Sequence, residues 1–196
     1  AALDWNALAT GRGGRLHARL EAHIGRADVL ALTGDLLPAD VRSIMPATAA
    51  SLSLQADGNV SRLTLDRLEA DVAGVVRLTA KGNAADLLTG QRSGHFDWTL
   101  RTGNPAPLGR LLPSSLAFPR GLSARGDLRF QGDDYRANLR VSASGGRLDV
   151  GARAGLSSER YAAQVTARDF PLGAFLPDLP LGDFSGSLKA SGQGFD

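Results

Sequence analysis

Three histidines, His17, His23 and His95, are the first residues in this 196-residue chain whose type invites chemistry. His17 and His23 stand six residues apart in an alternating segment. At strand rise that separation is about 20 Å, so the two cannot share a metal within one strand. His95 opens a strand pattern just before Phe96. All three read as solvated side chains. Asp133-Asp134 would need further carboxylates to hold a hard cation, and reads instead as an exposed turn. Gly11-Arg12-Gly13-Gly14 is glycine-rich, but no lysine follows and a strand pattern does. It reads as a flexible lead-in rather than a phosphate loop. There is no HExxH, no GxSxG and no P-loop, and nothing assembles a nucleophile, a base and an oxyanion donor. The expectation is a protein that is not an enzyme, with no metal and no cofactor. Phe96 and Trp98 have faces that nucleobases stack on, yet they share the apolar parity of one segment and lack a basic neighbourhood. With a net charge of only +2, no nucleic-acid partner is expected.

The elements that position these residues follow from composition and period. A hydrophobic content of 43% argues against disorder, and 196 residues suffice to bury a core without disulfides or metals. Cysteine is absent, which excludes disulfide frameworks and cysteine-based zinc sites. Twenty-four glycines and few helical periodicities tilt the chain towards strands and turns. No run of about 18 apolar residues exists to form a membrane-spanning helix. The chain starts at Ala1 without an initiator methionine and ends in mid-pattern, so it reads as an internal piece of a longer protein.

Period-two alternation recurs along the chain, the mark of strands with one apolar and one wet face. Leu148, Val150, Ala152 and Ala154 oppose Arg147, Asp149, Gly151 and Arg153. Leu16, Ala18, Leu20, Ala22 and Ile24 oppose Arg15, His17, Arg19, Glu21 and His23. Phe96, Trp98 and Leu100 oppose His95, Asp97, Thr99 and Arg101. Asp57-Gly58, Gly132-Asp133-Asp134, Ser144-Gly145-Gly146 and Leu156-Ser157-Ser158 read as hairpin turns, and consecutive strands should pair as a meander. Within Leu63–Val72 the parity changes between Leu65 and Leu68, which predicts a bulge near Asp66–Arg67.

The chain also repeats itself. PLGRLLP (Pro107–Pro113) recurs as PLGAFLP (Pro171–Pro177), and a weaker copy, DVRSIMP, ends at Pro46. Downstream of each copy stand SLSLQADG, GDLRFQG and GSLKASG. Upstream stand GRLHARLEA, GVVRLTAKG and GRLDVGARA, followed by ADVLALTGD, HFDWTLRTG and YAAQVTARD. The unit is strand, strand, short helical turn, strand, strand, at roughly 60–72 residues, giving about three repeats near 13–72, 73–144 and 145–196. Proline can open a helical turn with its φ pre-set, and Leu108, Leu111 and Leu112 then share a face. The turns should close a sheet end or gate a groove, with Leu172, Phe175 and Leu176 in the matching places of the second copy.

An apolar sheet face must be covered. Alternation by itself favours a second sheet. Small apolar residues (Ala18, Ala22, Ala152, Ala154, Ala163, Ala167), which leave room between facing walls, and in-register repetition raise the alternative, an elongated antiparallel sheet folded into an open apolar groove. The expected fold is therefore all-β, one extended segment over 1–196. Its lining would be Leu16, Leu20, Ile24, Leu78, Phe96, Trp98, Leu100, Leu128, Phe130, Leu139, Val141, Leu148, Val150 and Val165. The competing architecture is a closed β-repeat, as in a surface adhesin or stalk, with the same residues in a dry core.

The glycine-led strands, the PLG-type turns, FSGSLKASGQGFD (184–196) and the style of SRLTLDRLEADVAGVVRLTAKG (61–82) together resemble the TamB family of large envelope proteins and the related AsmA-like proteins. The likeness runs over most of the chain as three loosely matched units. It implies a taco-shaped β-sheet with an apolar interior, in a protein anchored in the inner membrane of Gram-negative bacteria and extending through the periplasm. It further implies phospholipid acyl chains as cargo, carried between the two membranes. The partners it implies are an outer-membrane barrel protein of the TamA or BamA type and client strands received by β-augmentation during outer-membrane protein assembly.

Overall fold

The computed structural model describes residues 16–25, 50–59, 61–104, 117 and 119–194. They form ten strands: β1 (Leu16–Ile24), β2 (Ala50–Asn59), β3 (Arg62–Val72), β4 (Val76–Ala85), β5 (Ser93–Thr102), β6 (Ser123–Gln131), β7 (Asp134–Ala143), β8 (Gly146–Gly155), β9 (Arg160–Pro171) and β10 (Asp183–Gln193). One four-residue helical turn, α1 (Leu172–Phe175), follows β9. The strands pair in chain order into a single antiparallel sheet, with β1 and β10 at its two edges. The all-β meander expected from the alternation is present. The second sheet that alternation alone would favour does not occur among the described residues, because all ten strands belong to one sheet.

Turn chemistry explains the tight connections. Ser144 and Gly145 both have positive φ, +50° and +86°, as a two-residue primed turn between β7 and β8 requires. Asp57-Gly58, expected as a turn, lies instead inside β2, opposite Thr64 and Leu63. The β2–β3 connection falls further on. There Asn59 Oδ1 accepts the N–H groups of Ser61 at 3.0 Å and Arg62 at 2.9 Å, and this side-chain acceptor outcompetes the Asp-Gly pair as the turn former.

Two bulges keep the apolar positions on one face. The predicted one is present: Leu65 and Leu68 of β3 pair with Gly82 and Ala80, so Asp66–Arg67 together oppose Lys81. The second is in β9, where Ala167 pairs with Gly186 but Phe170 pairs with Phe184. Asp169 takes up the extra residue at φ +46°. Its N–H donates to Ser185 Oγ at 2.8 Å, and that hydroxyl donates to Asp169 Oδ1 at 3.0 Å. The inserted residue turns Phe170 back onto the face of Ala167.

The buried apolar residues are mostly small or sit near strand ends: Ala56, Val75, Ala84, Leu122, Ala143, Ala167 and Phe170. Thr102 is the buried polar residue among those described. Its Oγ1 accepts Leu122 N–H at 3.1 Å and donates to the Pro119 carbonyl at 3.2 Å. This ties the connection that leads into β6 to the end of β5.

Candidate functional site

Residues paired across an antiparallel ladder point to the same side of the sheet, so the register assigns the faces directly. Val150 stands opposite Leu139 and Val165, and Leu148 opposite Val141 and Ala167. Leu128 stands opposite Phe96 and Ala137, and Leu100 opposite Leu78 and Ala124. Phe130 faces Gly94 and Tyr135, and Trp98 faces Ala80 and Gly126. Across β3, Leu68 links Ala80 to Leu54, and Leu54 faces Leu20. Leu16 and Ile24 hold register positions opposite Gly58 and Ala50. Leu16 and Ile24 apart, every expected lining residue thus falls on one face, which runs without interruption from β1 to β10.

That face is rich in rings. Phe96 stacks on Phe130 with centroids 6.5 Å apart, and Phe130 stacks on Tyr135 at 5.8 Å. It is also open. Among the described residues no large side chain is fully buried, while Leu20 is 45%, Leu128 37% and Leu188 65% exposed. Parity extends the face to residues the sequence reading left out: Leu54, Leu68, Tyr135 and Leu188 satisfy the same alternation. Phe170 needed recognition of the bulge at Asp169.

Of the turn residues, Leu172, Phe175 and Leu176 are half-buried in and beside α1. Phe175 stacks on the buried Phe170, with centroids 5.0 Å apart, so α1 packs against the end of β9. The Phe175 carbonyl accepts Ala117 N–H at 2.9 Å. Leu108, Leu111 and Leu112 lie outside the described residues, as do Trp5 and Gly11 to Gly14.

The opposite face is polar and laced with ion pairs. Glu69 is held between Arg67 and Arg77, whose guanidinium groups lower its pKa, the Arg67 hydrogen bond most. Asp149 is bound by Arg140 and by Arg147 at 2.9 Å, and the Arg140 hydrogen bond is the main cause of its lowered pKa. Thr79 and Thr99 hydroxyls meet at 2.6 Å. A depression of about 630 Å³ on this side is bordered by Asp97, Arg125, Asp127, Asn138, Arg140 and Asp149.

The histidines are all on the polar face. His17 is exposed and bonded to Asp57, opposite it in the register. His23 is exposed too. His95 is the third residue of β5 rather than its first, and its side chain is only 35% exposed, lying 3.3 Å from Asp97 Oδ1. The expectation of exposure is met only in part there: Asn83 and Arg129 stand directly opposite His95, and Asp97 lies two residues on along the same face. Asp133 does not stand free in its turn: it accepts from Arg92 at 3.0 Å and from Ser157. Among the described residues no three metal-ligating side chains converge, and no helix is long and apolar enough to cross a membrane. No family model, curated protein or solved structure matches this chain.

Proposed function

We propose that the apolar face is the working surface of a non-enzymatic lipid-handling segment of the TamB type, and that phospholipid acyl chains lie along it within the periplasm. The observation that carries this reading is an edge-to-edge apolar face left uncovered by any second layer among the described residues. Ten strands spaced about 4.8 Å apart extend it for roughly 43 Å, more than the thickness of a bilayer's hydrocarbon core, about 30 Å. Each methylene of a chain resting there would gain up to about 0.8 kcal/mol if fully shielded from water. Folding of the sheet along its length would bring the two halves of this face together as a groove, with α1 along the wall. The open sheet supports this reading over a closed-core stalk. Among the described residues the edge strand β10 has one unpaired side, where a client strand or a barrel-protein partner of the TamA or BamA type would add by β-augmentation.

Native mass spectrometry and lipid extraction of the purified chain test the proposal, with Val150→Glu as the probe. On an open face the substitution should leave the far-UV spectrum largely intact and abolish copurifying lipid. Loss of fold with Val150→Glu, together with lipid-free wild-type protein, would overturn the groove and favour a dry core.

A further inference from the structure

The polar face follows a charge rule with one exception. Where two arginines stand directly opposite each other, one of them has a carboxylate: Arg77 of the pair with Arg101, Arg140 of the pair with Arg125, Arg147 of the pair with Arg168, and Arg129 of the pair with Arg136. Arg136 and Arg153 are opposed in the β7–β8 ladder, and neither makes an ion pair among the described residues. Their row continues through Arg129 and His95 on one side and Ala162 and Ser191 on the other, without a carboxylate. Like charges directly opposed in a ladder are destabilising. A local rule broken without visible compensation is where a ligand is to be looked for.

A depression of about 650 Å³ opens at the same place. It is bordered by Arg136, Arg153 and Arg160, with Ser191, Gln193 and a single carboxylate, Asp134. Three guanidinium groups against one acid leave the site cationic. Cβ atoms of directly opposed residues are about 4.5–5.5 Å apart, close enough for two guanidinium forks to grip one tetrahedral oxyanion or two linked ones. Ser191 and Gln193 add neutral donors. We propose that this depression binds a phosphate-type anion through Arg136, Arg153 and Arg160. The proposal concerns the face opposite the apolar one and does not depend on the lipid reading.

Titration calorimetry with inorganic pyrophosphate at low ionic strength tests it. Wild-type protein should bind, more weakly as salt rises. The pair R136Q/R153Q should lose about tenfold or more in affinity, since two charge-assisted contacts go at once. The same pair should melt at an equal or higher temperature, because the repulsion is relieved. R125Q, an exposed arginine outside this site, should bind as wild type does. Absence of binding, equal binding by R136Q/R153Q, equal loss in R125Q, or a fall in stability that tracks the fall in binding would each overturn the proposal. Phosphatidylcholine vesicles with and without phosphatidylglycerol identify the source. Cosedimentation that needs the anionic lipid and fails in R136Q/R153Q assigns a lipid headgroup. Pyrophosphate binding without cosedimentation assigns a soluble phosphate compound.

Discussion

The indole of Trp98 lies over Gly126, the residue directly opposite it on the neighbouring strand. A Cβ at Gly126 would stand 2.7 Å from the indole atoms Cε2 and Cζ2, and equally close to the Asn138 carbonyl oxygen. The arrangement recurs. Phe96 lies over Gly82, Phe130 over Gly94 and Tyr161 over Gly192, each pair directly opposed in the ladder. The glycines give the rings room to lie down on the sheet, where they cover the backbone that glycine leaves bare. The result is a low aromatic floor instead of protruding side chains.

Gly126→Val tests that role. On an unencumbered strand a β-branched residue would improve strand propensity. Here it should force the indole off the sheet and cost about 1–3 kcal/mol by overpacking. In a Trp5→Phe background the fluorescence reports Trp98 alone, and its emission should shift to the red. An unchanged spectrum with increased stability would show that the ring does not depend on the glycine.

The faces of this sheet were legible in the alternation, and so was the bulge at Asp66–Arg67, because parity is a property of each strand by itself. The glycine–aromatic pairs were not, since they depend on register, which no single strand contains. Asp57-Gly58 misled because a strong local turn preference yielded to the Asn59 acceptor two residues on. The bulge at Asp169 was within reach: Ala163, Val165 and Ala167 set a parity that Phe170 breaks by one, the same signal that betrayed Asp66–Arg67.

That second bulge makes its own prediction. Ser185 both accepts from and donates to Asp169, and so fixes the residue that turns Phe170 inward. Ser185→Ala should cost about 0.5–1.5 kcal/mol, the net worth of an ordinary hydrogen bond. Amide exchange should accelerate at Asp169 and Phe170 and not at the far end of β9. Uniform acceleration along the strand would mean that the hydroxyl supports the whole β9–β10 ladder instead.

Thr102 offers a sharper loss. Its hydroxyl is buried and serves two backbone groups at once. Thr102→Val keeps the shape and strands the Leu122 N–H and Pro119 carbonyl, for a destabilisation of about 1–3 kcal/mol. Thr102→Ser retains the hydroxyl and should recover most of it in chemical denaturation. Little loss in Thr102→Val with a large loss in Thr102→Ser would assign the effect to the methyl group's packing instead.

Asp149 sets the acid behaviour of the polar face. Its pKa is lowered below the ordinary aspartate value, 3.8, chiefly by the hydrogen bond from Arg140. A carboxylate whose pKa is depressed by folding binds fewer protons in the native state than in the unfolded one. Its contribution is therefore fully present above 3.8 and disappears as the pH falls through the lower folded value. Asp149→Asn should destabilise the protein at neutral pH, because Arg140, Arg147 and Arg168 lose the carboxylate whose charge they share. The deficit should shrink in high salt, because the pairs are partly exposed. Denaturant midpoints measured down the acid limb should bring wild type and variant together as the wild-type carboxylate is protonated. A gap that stays constant to the lowest pH would show that Asp149 acts through packing rather than charge.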